Sequence, residues 1–369
     1  MPRRHSLSPA LGLMALLLSG CGLSSVPDTA APPEPNPSTP PAAKVRFIAF
    51  GDAGRGNDNQ LAVGAAMAEL CAIKGCDFAL ETGDNFYEVG VSSVTDPQWQ
   101  SAFEIPYKDL NIPIYVTLGN HDNAITEVGE GLNNAKGNFQ VDYTTDAANI
   151  TQKWKMPARY YSFTAPLNAP AGAAPILEFF SLDSSPLAAT ALNVNEPEFN
   201  YLTYGPTQLQ WFQTALMAST AKWTIAFSHH PYISNGEHGN AGNFDGAGQL
   251  PAGTTDGQPW KDLMDQSACA MSLDFHIFGH DHDLEWLKPT PGCNSKTEFI
   301  LSGAGSDVRA FGDPELNEAY FQQDLAQGFF WFEVTDHAFL GETYILKDGK
   351  LQLNTAGEPL PSFTRTVTK

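Results

Sequence analysis

Val45-Arg46-Phe47-Ile48-Ala49-Phe50-Gly51-Asp52-Ala53-Gly54 is the stretch on which the fold turns. Its near-continuous apolar run has the length of a buried strand, and it breaks at a glycine followed by an aspartate. The same arrangement recurs downstream. Asp77–Glu81 runs into Gly83-Asp84, and Ile112–Leu118 runs into Gly119-Asn120-His121-Asp122. Between the first two runs, Asn59–Lys74 has helical spacing, with Leu61, Ala65, Ala68 and Leu70 expected on its apolar side. Further strands are predicted at Ile176–Leu182, Trp223–Phe227, Phe275–Phe278 and Phe299–Leu301, and helices at Pro206–Ser219 and Trp260–Met271. Strands alternating with helices argue for α/β layering. Residues 187–204 and 236–259 read as long polar surface loops, the second rich in Gly and Asn.

Polar clusters follow five of the predicted strands directly: Asp52, Asp84-Asn85-Phe86-Tyr87, Asn120-His121-Asp122, Ser228-His229-His230 and His280-Asp281-His282. Open α/β sheets bind their ligands outside the carboxyl ends of the strands, so these clusters are expected to converge on one site. Gly51, Gly54, Gly83, Gly119 and Gly279 flank them and are expected to let the backbone turn sharply there. One aspartate after a strand carries no information, but five clusters of Asp, Asn and His point to metal. Carboxylates and imidazoles suit hard and borderline cations. A carboxylate shared by two ions holds them about 3.5–4 Å apart, the separation used for in-line displacement at phosphorus. One ion then supplies a hydroxide, and the other polarises the phosphoryl group.

Taken together, GDxG, GDNFY, GNHD, SHHP and GHDH resemble the motif set of the calcineurin-like metallophosphoesterases. Within them the chain is most similar to the small, tartrate-resistant purple acid phosphatases. The NFY after the second Asp, Gly236-Glu237-His238-Gly239 and Leu301-Ser302-Gly303-Ala304-Gly305 carry that likeness, which runs with gaps from about residue 44 to 345. The resemblance implies a two-sheet β-sandwich flanked by helices, the four-layer α/β fold of that family. It implies an acid phosphatase acting on phosphate monoesters, with a phosphodiesterase on the same metal pair as the alternative. It also implies a ligand set. Asp52, Tyr87 and His282 would bind Fe(III); Asn120, His229 and His280 would bind a divalent ion, Fe, Zn or Mn; Asp84 would bridge the two. His121 and His238 would contact the substrate. His230 competes with His229, and His229 is preferred because His229-His230-Pro231 matches the family pattern. Asp122 and Asp281 are expected either to orient imidazoles or to be solvated. His276, on the strand before Gly279, is read as structural.

The bulk numbers limit the partners. With 41 Asp and Glu against 20 Lys and Arg, the chain carries a formal charge of −21. That field repels long nucleic acids, whose binding depends on neutralising phosphates. It leaves small phosphate esters open, because bound cations reverse the potential inside a cleft. The expected partner is such an ester, met by a monomer.

The N-terminus reads as an address. Arg3 and Arg4 precede an apolar run, Leu11–Leu18, too short to span a bilayer. Leu18-Ser19-Gly20-Cys21 resembles a bacterial lipobox, which implies a lipid on Cys21; an ordinary cleavable leader is the alternative. Either one places the protein outside the cytoplasm. Residues 1–20 are thus read as a signal peptide and 21–43 as a lipidated Cys with a Pro-rich tether. Residues 44–348 are read as the catalytic domain and 349–369 as a C-terminal tail. The other cysteines, Cys71, Cys76, Cys269 and Cys293, form an even set suited to an oxidising compartment. Proximity favours Cys71–Cys76 and Cys269–Cys293 among the three pairings allowed.

Overall fold

The computed structural model describes residues 43–125, 133–170, 172–188, 196–244, 256–271 and 273–369. The predicted leader, Cys21 and the tether lie outside the described residues. No helix among the described residues is long and apolar enough to cross a membrane.

Fourteen strands are described: β1 (Val45–Phe50), β2 (Phe78–Glu81), β3 (Ile114–Val116), β4 (Trp154–Lys155), β5 (Tyr161–Ala165), β6 (Leu177–Ser181), β7 (Trp223–Phe227), β8 (Phe275–Phe278), β9 (Leu284–Leu287), β10 (Glu298–Ser302), β11 (Ala319–Gln323), β12 (Gly328–Val334), β13 (Ala338–Ile345) and β14 (Phe363–Thr368). They form two seven-stranded mixed sheets, β14-β13-β12-β1-β2-β3-β4 and β11-β9-β10-β8-β7-β6-β5. Within the first sheet β1, β2 and β3 run parallel, and within the second β6, β7 and β8 do. The five polar clusters follow β1, β2, β3, β7 and β8, so every one leaves the carboxyl end of a parallel strand.

The two sheets meet over an aromatic core. Phe47 of β1 stacks on Phe78 and Phe332 in its own sheet, at 5.4 and 4.7 Å between ring centroids, and meets Phe179 of the other sheet edge-on at 5.2 Å. Each buried Phe contributes roughly 1.5–3 kcal/mol relative to exposure. The apolar strand runs supply these inward faces, which is why they dominate the sequence signal. Helices α1 (Asp58–Lys74), α2 (Asn120–Asn123), α3 (Asn138–Tyr143), α4 (Ser185–Ala188), α5 (Tyr201–Ala218) and α6 (Gln258–Met264) complete the described elements that matter here.

The predicted positions hold for β1, β7 and β8, and several other expectations need correction. Helix α1 buries Val63, Ala66, Met67 and Leu70 and leaves Leu61 and Ala65 exposed, so its inner face is rotated from the predicted one. Gln60 turns into the core instead, bonded to the Ala102 carbonyl at 2.7 Å and the Tyr107 hydroxyl at 3.0 Å. Helix α5 begins at Tyr201, five residues before the predicted start, because the Asn200 side chain caps the Leu202 amide at 2.9 Å; Pro206 lies inside the helix. The 187–204 loop is therefore shorter than expected: Leu187 and Ala188 are buried in α4, and residues 201–204 are helical. The helix expected over Trp260–Met271 ends at Met264 and continues as a wide π-type turn, Asp265–Cys269. Residues 349–369 are more than a tail, since β14 pairs with β13 along Phe363–Thr368 and closes the sheet edge. Disulfides join Cys71 to Cys76 and Cys269 to Cys293.

Candidate metal centre

The clusters converge as predicted, and their ligand atoms separate into two sets. In the first, Tyr87 Oη lies 3.2 Å from Asp52 Oδ1 and 3.1 Å from His282 Nε2, and those two atoms are 3.6 Å apart. In the second, His229 Nε2 lies 2.9 Å from Asn120 Oδ1, 3.1 Å from His280 Nδ1 and 3.5 Å from Asp84 Oδ1. Atoms bound about 2.0–2.2 Å from one ion sit about 3.0–3.5 Å from each other. Asp84 joins the sets, for ligand atoms of Asp52, Asp84 and His229 all lie within 4.8 Å of one another.

The electrostatics of this donor set fit cations. His229 Nδ1 faces the Thr82 carbonyl at 3.0 Å, which places the proton there and leaves the Nε2 lone pair aimed at Asn120 Oδ1 and His280 Nδ1. Burial, then the carboxylate of Asp84, pushes the Asp52 carboxyl well above its usual range. Burial and the charges of Asp84 and Asp52 likewise push the Tyr87 phenol well up. Burial holds the imidazoles of His280 and His282 down, that of His282 at about 3. Asp84 is the exception: burial opposes its ionisation, but His229 and His121 outweigh it and hold the carboxyl at about 2. Acceptor atoms so crowded, with so little positive charge of their own, are complementary to metal ions.

The backbone carries the cost of this convergence. Asp52, Asp84 and His280 have φ of 55°, 53° and 74°, the left-handed region disfavoured for residues with a side chain. Such positions cost about 1–3 kcal/mol each and cluster at functional sites. The glycines therefore play a different part from the expected one. Of the five flanking glycines only Gly83 has positive φ. Gly119 and Gly279 allow close approach instead: a Cβ would lie 2.1 Å from Asp84 Oδ1 at Gly119 and 2.3 Å from Asp52 Oδ2 at Gly279.

His121 and His238 flank the ligand sets. The His121 amide donates to Asp84 Oδ1 at 2.9 Å, and its Nδ1 donates to the Glu88 carbonyl at 2.8 Å. The His238 ring stacks on His280 at 4.2 Å between centroids, and its backbone amide donates to Asp281 Oδ1 at 2.9 Å. Asp122 and Asp281 are buried rather than solvated, and they accept from loop amides and from the side chains of Gln140, Asn85 and Ser234 rather than from imidazoles. Asp122 accepts from the amides of Gly119, Asn85 and Phe86 at 2.7–3.1 Å, tying the loops after β2 and β3 together. His230 bonds to Ser184 Oγ through Nδ1 at 2.8 Å, yet its ligand atom still groups with those of His229 and His280. His276 is buried against Ser228 Oγ at 2.7 Å, as its strand position implies.

Two residues beside the centre were not singled out from sequence. Arg309 Nη1 reaches His238 Nε2 at 3.3 Å, and the Arg55 guanidinium lies over the Tyr87 ring at 4.1 Å. The signal for them was faint: an arginine within each glycine-rich segment, in a chain with few cations.

Two layered sheets with a double cluster of metal donors at the carboxyl ends of their parallel strands define a metallophosphoesterase. The chain belongs to the calcineurin-like phosphoesterase family, whose model matches residues 45–284, and with it to the phosphate-ester hydrolases. It is 28% identical over 347 residues to tartrate-resistant acid phosphatase type 5 of Rattus norvegicus, covering 86% of this chain and 91% of that protein. It is 28% identical over 305 residues to purple acid phosphatase 3 of Arabidopsis thaliana, covering 79% and 72%. Its fold matches a solved structure of GAP50, described as the anchor in the inner membrane complex of Plasmodium, with a TM-score of 0.63 and 18% identity over 88% of this chain and 89% of that one.

Proposed function

We propose that the protein is an acid phosphatase that hydrolyses phosphate monoesters at a dinuclear centre. The observation that carries this reading is the division of the donor atoms into two triangles joined by Asp84. Asp52, Tyr87 and His282 would hold Fe(III), for which phenolate and carboxylate are hard anionic donors. Asn120, His229 and His280 would hold a divalent Fe, Zn or Mn ion, which imidazole and amide oxygen suit. When bound, the pair supplies the hydrolytic nucleophile and the positive charge that stabilises the phosphoryl group in the transition state.

The chain's own residues do the rest. The Glu88 carbonyl accepts from Nδ1 and fixes the His121 ring, whose Nε2 would donate to a phosphoryl oxygen when the imidazole carries a second proton. His238, on the other flank, would donate to the leaving-group oxygen from its protonated ring, with Nε2 released from its contact with Arg309. The acid phosphatase names of the rat and Arabidopsis relatives support the monoester reading. Export is supported by the two disulfides and by the N-terminal motif, which would tether a monomer to a membrane through lipid on Cys21.

The test is metal analysis and a visible spectrum of the purified protein, with turnover of p-nitrophenyl phosphate compared with bis-p-nitrophenyl phosphate. Two metals per chain, a visible charge-transfer band and faster turnover of the monoester are expected. Faster turnover of the diester would make it a phosphodiesterase, and absence of both metals at full folding would end the reading.

A further inference from the structure

A cavity of about 420 Å³ opens beside the candidate metal centre, lined by Arg55, Asn59, His282, Asp307, Arg309 and Gln327 among others. Its chemistry is unlike that of the chain as a whole, which has 20 Lys and Arg in 369 residues. Here two guanidinium groups share one small cavity. Both arginines are tied to residues of the candidate centre, Arg55 through its guanidinium and Arg309 through its backbone. The Arg55 guanidinium rests on the Tyr87 ring at 4.1 Å, and the Arg309 amide donates to the His282 carbonyl at 3.0 Å. Each arginine thus touches a residue of the proposed first-metal set.

The acidic partners of these arginines lie further out. Arg55 pairs through Nη1 with Glu88 and through Nε with Asp307, and Arg309 Nη1 lies 3.6 Å from Glu237. The side chains of Glu88 and Glu237 are 39% and 60% exposed, against 22% and 36% for Arg55 and Arg309. Asp307 is anchored by the Asn57 amide at 3.1 Å and neutralises the Nε edge of Arg55. Glu88 has only His121 Nδ1, at 3.9 Å, as a further ionic partner and Glu237 has none among the contacts described, and partly exposed ion pairs of this kind are worth about 0–1 kcal/mol. An incoming phosphate, of higher charge, can displace them, and a carboxylate tethered to the substrate competes with them at high effective concentration. Guanidinium presents a planar fork that matches phosphate or carboxylate oxygens, which ammonium does not.

We propose that Arg55 and Arg309 form a subsite for a second oxyanion, phosphate or carboxylate, carried by the leaving group of the substrate. The preferred substrates are then small phosphate esters with two anionic ends, the scissile phosphate at the metal centre and the other in this cavity. The contact of Arg309 Nη1 with His238 Nε2 at 3.3 Å puts the subsite on the leaving-group side. The proposal rests on the phosphatase reading above.

The experiment uses the metal-loaded mature chain and three esters of matched length: propyl phosphate, 1,3-propanediol bisphosphate and 4-phosphobutyrate. We expect kcat/KM for at least one of the doubly anionic esters to exceed that for propyl phosphate by roughly tenfold, the scale of one partly solvated charge-assisted hydrogen bond. Which of the two is favoured tells phosphate from carboxylate. Arg55→Gln and Arg309→Gln should each lower that ratio about fivefold or more, mainly through KM, with Arg309→Lys intermediate. The ratio is read within each variant, so a general loss of activity does not mimic the effect. Turnover of all three esters at equal kcat/KM, or a preference that survives both glutamine variants, overturns the subsite and leaves the phosphatase reading standing. Hydrolysis of none of them, at full metal content, overturns both.

Discussion

The His280 amide donates to both carboxylate oxygens of Asp52, at 3.2 and 3.0 Å, and both residues are in the left-handed region, with φ of 74° and 55°. Two strained turns, one at the end of each sheet, are thereby clipped to each other across the centre. The clip holds ligand atoms in place before any ion arrives, which lowers the reorganisation needed on binding. It also concentrates like charge, since Asp52 and Asp84 lie together in a buried space.

Asp52→Asn should therefore have opposite effects with and without metal. The amide oxygen still accepts from His280, so the clip survives. Without metal, the variant no longer has to bury a charge or take up a proton, and it should be more stable than wild type at pH 7 by ~1–3 kcal/mol. With metal, the first site loses an anionic ligand, and the stabilisation on adding metal should fall markedly. Thermal unfolding with and without chelator distinguishes the two. Equal destabilisation in both conditions would show that Asp52 is simply structural.

Tyr87→Phe tests the colour of the centre. Burial, Asp84 and Asp52 all oppose ionisation of this phenol, so only a strongly charged cation can hold it as tyrosinate. A tyrosinate bound to Fe(III) absorbs in the visible, and a phenol does not. The oxidised wild type should be purple or pink, and the variant should lose the band while keeping most of its metal. A colourless wild type with full iron content would remove Tyr87 from the ligand set.

The sequence was most informative where burial on both faces forced long apolar runs. The strands β1, β7 and β8 stand where their runs put them, and each ends beside a candidate metal donor. Amphipathic elements were harder to read. Helix α1 turns Gln60 inward to bond Tyr107 and leaves Leu61 outside, a choice made by a partner over forty residues away. Edge strand β14 alternates intermediate and exposed residues, and its place is set by pairing with β13 rather than by its own composition. The polar motifs located the centre because metal chemistry restricts residue type at each position. Arg55 and Arg309 escaped notice because a lone arginine in a loop carries no periodicity and only folding brings the two to one cavity.

Glu285 gives the fold a pH dependence with a definite sign. Burial, then the nearby Asp281 carboxylate, pushes its carboxyl up to about 8 from an ordinary 4.5, against the opposing bonds from the Asn235 amide and the Ser234 hydroxyl. Between those two values the folded chain keeps a proton that the unfolded chain has released. The stability this proton contributes is complete below the lower value and is lost as pH rises through the upper one, with a slope of at most about 1.4 kcal/mol per pH unit. Glu285→Gln keeps the acceptor oxygen for Asn235 and Ser234 and cannot ionise. Its denaturation curves, taken with disulfides intact from pH 5 to 9, should fall less steeply than those of wild type and cross above them at the alkaline end. Asp122, pushed up to about 7 by burial and Asp84, acts in both proteins and cancels in the difference. Parallel profiles would mean that the proton kept by the folded chain sits on Asp283, the carboxyl bonded to Glu285, or that Glu285 is already ionised.

If His121 and His238 face the substrate as proposed, they should separate by leaving group. An alkyl phosphate expels a strongly basic alkoxide, which needs a proton as the P–O bond breaks, whereas p-nitrophenolate leaves almost unaided. General acid catalysis contributes about 10²–10⁴-fold where it is needed. If His238 supplies that proton, His238→Ala should lose a large part of this factor on alkyl phosphates and far less on p-nitrophenyl phosphate. His121 is placed differently, with its amide on Asp84 and its Nδ1 on the Glu88 carbonyl, and in the proposed reaction it would serve the phosphoryl oxygens common to both esters. His121→Ala should lower turnover of the two esters by similar factors. The Arg309 contact supplies an internal control. Arg309→Gln removes a donor from His238 Nε2 without removing the imidazole, so the alkyl-to-aryl ratio should move far less than in His238→Ala. Both esters would be measured for each variant with metal content verified. Equal losses for His238→Ala on the two esters, at full metal occupancy, would show that the proton reaches the leaving group from somewhere else.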